Sequence, residues 1–282
     1  MSSSKNIGFF KIPEKIVVIG DIHADYETLI KTLQYAGLIN KKLEWTGKKT
    51  HMIVIGDLVD GKNRVGDWTN DSDIKVIHFL EKLMGSASKT GGKVVILLGN
   101  HEFMNMSGNF SYSGLKGIKE MGGENGRAKY FRGEFKQFAK KCYLAVQYED
   151  WIFCHAGIAP EISKKYSIHD LNTLLFLYLD NRMSDDIKEK FVQIISGTHG
   201  ILTTREFGID DVNCSRLNKT LANYHANHMV VGHTVQKHIN SMCNHKLWRV
   251  DVGLSRAFGE NNKERISSLL IHDHGKKVKI LT

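Results

Sequence analysis

Carboxylates, an amide and imidazoles recur in this sequence behind glycine or at the ends of short apolar runs. They form GDIH at 20–23, GDLVD at 56–60, GNHE at 99–102, CHAG at 154–157 and GH at 232–233. Asp21, His23, Asp57, Asn100, His155 and His233 make an oxygen-and-nitrogen donor set without thiolate. Such donors suit Mn²⁺, Fe or Zn²⁺ and argue against a soft-metal or iron–sulfur site. Six donors exceed what one catalytic ion with open positions takes, whereas two ions about 3.5–4 Å apart share a bridging carboxylate. Asp57, midway along the set, is the expected bridge. Taken singly, Gly-Asp is an ordinary turn and Gly-His an ordinary core or surface histidine. Repeated at five strand ends they point to a cation site, because buried carboxylates facing one another repel unless a cation intervenes. His101, beside the neutral ligand Asn100, is expected to project away from it, as neighbours do in an extended segment, and so to be free as a proton donor. Asp60, three residues past the bridge, is placed to hold the far nitrogen of His101.

These residues need elements that carry them to one edge. KIVVIGD (15–21), THMIVIGD (50–57) and KVVILLGN (93–100) are short apolar runs that stop at glycine, as buried strands do. Between them, Leu29, Ile30, Leu33 and Ala36 follow a helical spacing that Gly37 ends. Ser72 is positioned to cap a helix through Ile74, Ile77, Leu80 and Leu83 to Gly85. Strands alternating with helices of this length form βαβ units. CYLAVQYEDWIFCHAG (142–157) predicts two strands around a turn at Glu149-Asp150, segments 169–183 and 185–196 predict helices, and HMVVGH (228–233) predicts another buried strand. From 238 onward, KHINSMC, KLWRVDVG, ERISSLLIHD and KKVKIL predict antiparallel strands. The fold class is therefore α/β, an α/β core plus an antiparallel sheet arranged as a two-sheet sandwich with helices outside. In open α/β sheets ligands bind beyond the carboxyl ends of the strands, where all five clusters fall.

With 282 residues, 41% of them apolar and 24% charged, and only two prolines, the chain is expected to comprise an N-terminal extension (1–14) and a single catalytic domain (15–282). A net charge of +9 favours anionic partners such as phosphorylated substrates. Runs such as Lys164-Lys165 and Lys276-Lys277 are too short for a nucleic-acid arm, so no specific nucleic-acid partner is expected. MSSSKNIGFFKIPEK lacks the apolar core of a signal peptide, and no stretch approaches the roughly 18 apolar residues of a membrane span. No membrane partner and a cytoplasmic location are the resulting expectations. The four cysteines, at 142, 154, 214 and 243, show no disulfide framework, in keeping with a reducing compartment. Cys243 and Arg249 have the Cys-x5-Arg spacing of thiol-dependent tyrosine phosphatases. CNHKLWR lacks the glycine-rich loop that wraps a phosphate, so the match is read as coincidence.

GDIH, GDLVD, GNHE, HAG and GH, in that order from residue 20 to 233, resemble the phosphoprotein phosphatase superfamily of dinuclear metallophosphatases. GNHEFMNMSGN (99–109) and DVGLSRAFG (251–259) resemble its Shewanella-like phosphatase branch. The resemblance implies a calcineurin-like metallophosphoesterase sandwich of two mixed β-sheets flanked by helices. It implies two divalent metal ions (Mn, Fe or Zn), the first held by Asp21, His23 and Asp57, the second by Asp57, Asn100, His155 and His233. His101 becomes the catalytic acid, Asp60 its partner, and Arg205 in GTHGILTTREFG (197–208) the phosphate clamp. The implied activity is a metal-dependent phosphomonoesterase, a phosphatase of Ser/Thr or Tyr in proteins, in which a hydroxide shared by the metals attacks phosphorus. Hydrolysis of dinucleoside polyphosphates and weakly active phosphopeptide binding are the alternatives. Family members continue GDxxD with Arg-Gly, whereas Gly61 and Lys62 follow Asp60 here, so Arg64 or Lys62 is expected to bind substrate in place of the missing arginine.

Overall fold

The structure, a computed structural model, describes residues 6–65, 68–259 and 265–282. Among these residues eleven strands form two mixed sheets. In the first, β2 (Lys15–Ile19), β3 (His51–Val54) and β4 (Lys93–Ile96) run parallel, with β10 (Ser268–His272) and then β11 (Lys277–Leu281) added antiparallel on the β2 side. In the second, β6 (Trp151–Cys154), β7 (His228–Val231) and β9 (Leu247–Arg249) run parallel. β8 (Asn240–Met242) joins β9, and β5 (Ala145–Tyr148) joins β6, both antiparallel. β1 (Phe9–Phe10) lies parallel on the outer edge of β5, so part of the N-terminal extension is woven into this sheet.

The continuous apolar runs follow from burial of both sheet faces. Ile16, Val18, Ile53 and Val95 meet Val146, Phe153 and Val230 of the other sheet between the layers. Their neighbours Val17, Ile19, Met52, Val54, Val94 and Ile96 turn outward into the helix-covered core. Helix α1 (Tyr26–Tyr35) is capped by Asp25, which accepts from the Thr28 backbone N–H at 3.1 Å and from Arg256 Nε and Nη2, each at 2.8 Å. α2 (Asp73–Ser88) starts at Ser72 as expected but runs past Gly85 to Ser88, since one exposed-side glycine costs only about 1 kcal/mol in a helix.

Three short helices, α4 (Leu115–Glu120), α5 (Glu124–Arg132) and α6 (Glu134–Ala139), follow α3 (Asn100–Met106) in a stretch whose weak periodicity predicted no element. The second half adds α7 (Pro160–Ser163), α8 (Ile168–Leu179), α9 (Asp185–Ser196) and α10 (Cys214–Asn223). α8 and α9 fall where helices were expected. No helix among the described residues is long and apolar enough to cross a membrane.

Three expectations are corrected. The runs after 238 do not make one antiparallel sheet: β8 and β9 join the second sheet, with β9 parallel to β7, while β10 and β11 flank the first. Hairpin-like alternation reveals the local pairing but not which sheet receives it. Position 264 of the third run and residues 1–5 of the extension lie outside the described residues. Next, Cys214 and Cys243 form a disulfide, with their Cα atoms 5.5 Å apart and a separation of 29 positions in sequence. Nothing in that spacing announces the contact, because the first residue of α10 meets the β8–β9 turn only after the second sheet assembles. Cys142 and Cys154 are free and buried. The pairing also removes Cys243 as a thiolate nucleophile, and Arg249 donates to the Gly208 and Ile209 carbonyls. Finally, Asn100 and His101 do not lie in an extended segment but open α3, where successive side chains diverge by about 100° around the axis.

Candidate active site

The carboxyl ends of β2, β3 and β4 in one sheet and of β6 and β7 in the other meet at one rim. Just past them stand Asp21 and His23, Asp57, Asn100 and His101, His155 and His233. The backbone is forced hard to bring them there. His23 (φ 44°), Asp57 (φ 48°), Asp60 (φ 73°) and His233 (φ 65°) all occupy the left-handed region. Non-glycine residues held there cluster at functional sites, because the surroundings must over-determine them. Two glycines permit the close approach. A Cβ on Gly99 would lie 2.1 Å from Asp57 Oδ1, and one on Gly56 (φ 113°) 2.8 Å from His155 Nδ1.

Asp57 sits at the centre. Its Oδ2 is 3.3 Å from His155 Nε2, 3.8 Å from His23 Nε2 and 3.9 Å from His101 Nε2. His155 Nε2 is also 3.1 Å from Asn100 Oδ1, and its Nδ1 is fixed by the Ile55 carbonyl at 3.0 Å. Donor atoms of His23, Asp57 and His101 lie within 4.8 Å of one another, as do those of Asp57, His155 and His233. The two groups share Asp57, which is the arrangement a bridging carboxylate requires.

The electrostatics follow the geometry. Burial, then the charges of Asp251 and Asp57, hold the Asp21 carboxyl well above the ordinary range. Burial also acts on Asp57, but His155, His101 and His23 outweigh it and hold its carboxyl well below that range. Burial and the neighbouring imidazoles hold His23 and His233 down at about 3, leaving neutral rings with lone pairs to offer. His101 and His155 are raised despite burial, His101 by Asp57 and Asp60 and His155 chiefly by Asp57. Asp21 Oδ1, His23 Nδ1 and Asp251 Oδ2 are buried without a hydrogen-bond partner among the described residues. Unpaired buried groups cost about 1–3 kcal/mol each, and a cation on hard oxygen and imidazole donors relieves that cost. The donor set fits divalent metal ions.

His101 differs from the other imidazoles. Its Nδ1 is held by Asp60 Oδ2 at 2.8 Å, leaving Nε2 to the cavity. Asp60 is itself fixed by Asn105 Nδ2 (2.8 Å), Ser113 Oγ (2.7 Å) and Arg127 Nη2 (2.9 Å). Arg127, on α5, is fully buried; Nε donates to Asn105 at 2.7 Å, Nη1 to Asp73 at 2.6 Å, and the guanidinium lies over Phe131. Sequence reasoning missed it, since a lone arginine in a weakly periodic, polar stretch carries no signal. Replacing Arg127 with methionine strands two buried carboxylates and is expected to cost about 3–5 kcal/mol, measured by urea unfolding.

Glu102, unexplained by metal binding, anchors the loops instead. Its Oε1 accepts from the N–H groups of Leu58 (2.8 Å) and Val59 (3.3 Å), and its Oε2 from those of Asp57 (3.0 Å) and Gly99 (2.7 Å). One carboxylate on α3 thereby sets the turns that carry Asp57 and Asn100. Burial and Asp57 push it up to about 7 against the pull of these amides.

A cavity of about 460 Å³ opens over the site, lined by His23, Asp57, Asn100, His101, His233 and Asp251 and bordered by Arg64, Arg205, Met104, Tyr112 and Phe258. Arg64 is held between the Tyr112 and Phe258 rings, its guanidinium carbon 5.1 and 5.2 Å from their centroids. Arg205 is exposed, with Nη1 3.4 Å from Thr234 Oγ1. Lys62 does not line the cavity; its Nζ donates to the Ser111 carbonyl at 2.9 Å. Tyr112 and Phe258 also pack on His101 and His23, a role that two aromatics inside otherwise polar motifs did not advertise.

The calcineurin-like phosphoesterase family model matches residues 14–237. The chain is 27% identical over 305 residues to Shewanella-like protein phosphatase 2 of Arabidopsis thaliana, spanning 90% of this chain and 75% of that one. It is 30% identical to Shewanella-like protein phosphatase 1 of Plasmodium berghei, spanning 92% of this chain and 72% of that one. The crystal structure of the cold-active protein-tyrosine phosphatase of a psychrophilic Shewanella has the same fold, with a TM-score of 0.80 at 21% identity over 98% of this chain and 82% of that one. The ordered motifs, the two-sheet frame and these matches agree: the chain belongs to the calcineurin-like phosphoesterase family and, within it, to the Shewanella-like protein phosphatases.

Proposed function

We propose that this protein removes phosphate from phosphorylated proteins or peptides. Its phosphatase class comes with the family; the substrate and the role of each residue are the proposal. The observation that carries it is an oriented imidazole, His101, standing beside Asp57, the carboxylate common to both candidate donor groups. Asp21, His23 and Asp57 would hold one divalent ion and Asp57, Asn100, His155 and His233 the other, as Mn, Fe or Zn. When bound, such a pair supplies activated water and neutralises phosphoryl charge. His101, proton on Nε2, faces the cavity and protonates the leaving oxygen, while Asp60 keeps Nδ1 occupied and the ring oriented. Arg64 and Arg205, the two cavity cations, clamp the phosphoryl oxygens. Arg64 thus takes the place left by Gly61-Lys62, its direction fixed by aromatic faces where a lysine would remain a freely turning point charge. Residues 15–282 act as one catalytic domain with 1–14 as its extension. A cytoplasmic site of action belongs to the same proposal and requires that the Cys214–Cys243 bond persist or be dispensable there, which trapping thiols in intact cells reads directly.

The test is a panel of phosphoserine, phosphothreonine and phosphotyrosine peptides assayed with added Mn²⁺, Fe²⁺ or Zn²⁺ beside a diadenosine polyphosphate. Metal-dependent release of phosphate from peptides is expected. Cleavage of the dinucleotide alone, or peptide binding without turnover, overturns the proposal.

A further inference from the structure

Six strands point their carboxyl ends at the rim. β2, β3 and β4 are mutually parallel in one sheet, and β6, β7 and β9 are mutually parallel in the other. The first five deliver the residues already described. The sixth, β9, ends at Arg249, and two residues later it delivers Asp251. Asp251 is 1% exposed yet lines the same cavity as His23, Asp57, His101 and His233. Its Oδ1 accepts from the Gly253 N–H at 2.8 Å, and its Oδ2 has no hydrogen-bond partner among the described residues. Asp21 Oδ1, on the neighbouring strand end, is likewise buried and unpartnered. The backbones of the two ends are pressed together, for a Cβ on Gly20 would lie 2.5 Å from the Val250 carbonyl and 3.2 Å from Asp251 Cα.

Two buried carboxylates with free oxygens, held side by side with no arginine or lysine among the described residues bonded to either, destabilise a protein unless a cation lies between them. The six family motif positions leave the first ion with three protein donors, Asp21, His23 and Asp57, against four for the second. We infer that Asp251 is a seventh member of the cation cage, a carboxylate that serves the first ion together with Asp21. Its charge raises affinity at the position with fewer protein donors. Asp251 is a positioning residue: it acts on substrate only through the cation it helps hold.

This rests on the metal reading of the site, and the experiment separates the two. The full chain, stripped of metal, is titrated with Mn²⁺ by calorimetry, and its melting temperature is recorded with and without Mn²⁺. Asp251→Asn keeps the acceptor for Gly253 N–H and removes the charge; Asp251→Ser removes it with a smaller side chain. Both are expected to weaken one of the two Mn²⁺ sites at least about 10-fold, the lower end of the loss seen even for residues that only support a metal's direct ligands. Both are also expected to raise the melting temperature of the metal-free chain, because a repulsion has been removed, while lowering that of the loaded one. A purely structural Asp251 would lower both. If the unsubstituted chain binds no Mn²⁺, the metal reading falls and this inference with it. If it binds two ions and the variants bind them as tightly, or if the metal-free variants melt lower, the role of Asp251 alone is overturned.

Discussion

Asp57→Asn is expected to release both metal ions and to lower kcat/KM by at least about 10³-fold, several kcal/mol of transition-state stabilisation. The size follows from position. Asp57 is the residue common to both donor groups, and its Oδ2 lies within 4 Å of three imidazoles. No other residue belongs to both groups, so under the proposed assignment Asn100→Ala or His233→Ala should spare one ion where Asp57→Asn spares neither. Asparagine retains the acceptor oxygen that receives the His101 N–H at 3.0 Å, so the loop keeps its shape and the loss reports on charge. Elemental analysis of the dialysed variant gives the ion count. Two ions still bound would remove Asp57 from the bridging role.

The second large effect concerns proton supply. His101→Ala should leave metal content unchanged and reduce kcat about 10²–10⁴-fold on an ordinary phosphopeptide. The loss should shrink on p-nitrophenyl phosphate, whose leaving group departs without a proton. An equal loss on both substrates would mean that His101 is not the acid. The pH profile gives a further check. The acid must be protonated to act, and Asp57 and Asp60 raise the pKa of His101 against the effect of burial. In Asp60→Asn the protonated form is therefore lost at lower pH, so the alkaline limb of kcat/KM should move down by about 1 unit. Asp60 itself is held below the usual carboxylate range, burial being outweighed by His101 and Arg127. The pair therefore stays intact as pH falls until it passes below that range.

What could be read in advance was what repeats. Gly-Asp, Gly-Asn-His and Gly-His behind aliphatic runs mark both the strand ends and the polar groups there, so the two-sheet frame and the gathering of six polar side chains at its rim share one signal. Arg127 and Glu102 were hidden for the opposite reason. Each acts through contacts 20 to 70 residues away, to Asn105 and Asp60 in one case and to the Asp57 and Leu58 amides in the other. No local period encodes such contacts. Asp251 stood in plain view inside DVGLSRAFG, but only the parallel pairing of β9 with β7 shows that its strand ends where the others do. The Cys214–Cys243 contact likewise exists only once α10 and the β8–β9 turn have been placed.

The donors are divided between the two layers: Asp21, His23, Asp57 and Asn100 are fixed to one sheet, His155 and His233 to the other. An ion gripping members of both is a clasp across the open edge of a book, and its binding energy is lent to the seam. At a free-ion level 100 times its dissociation constant, one such clasp adds about 2.7 kcal/mol to the folded state. Cellular metal supply would then govern how long the protein lasts against proteases as well as how fast it works.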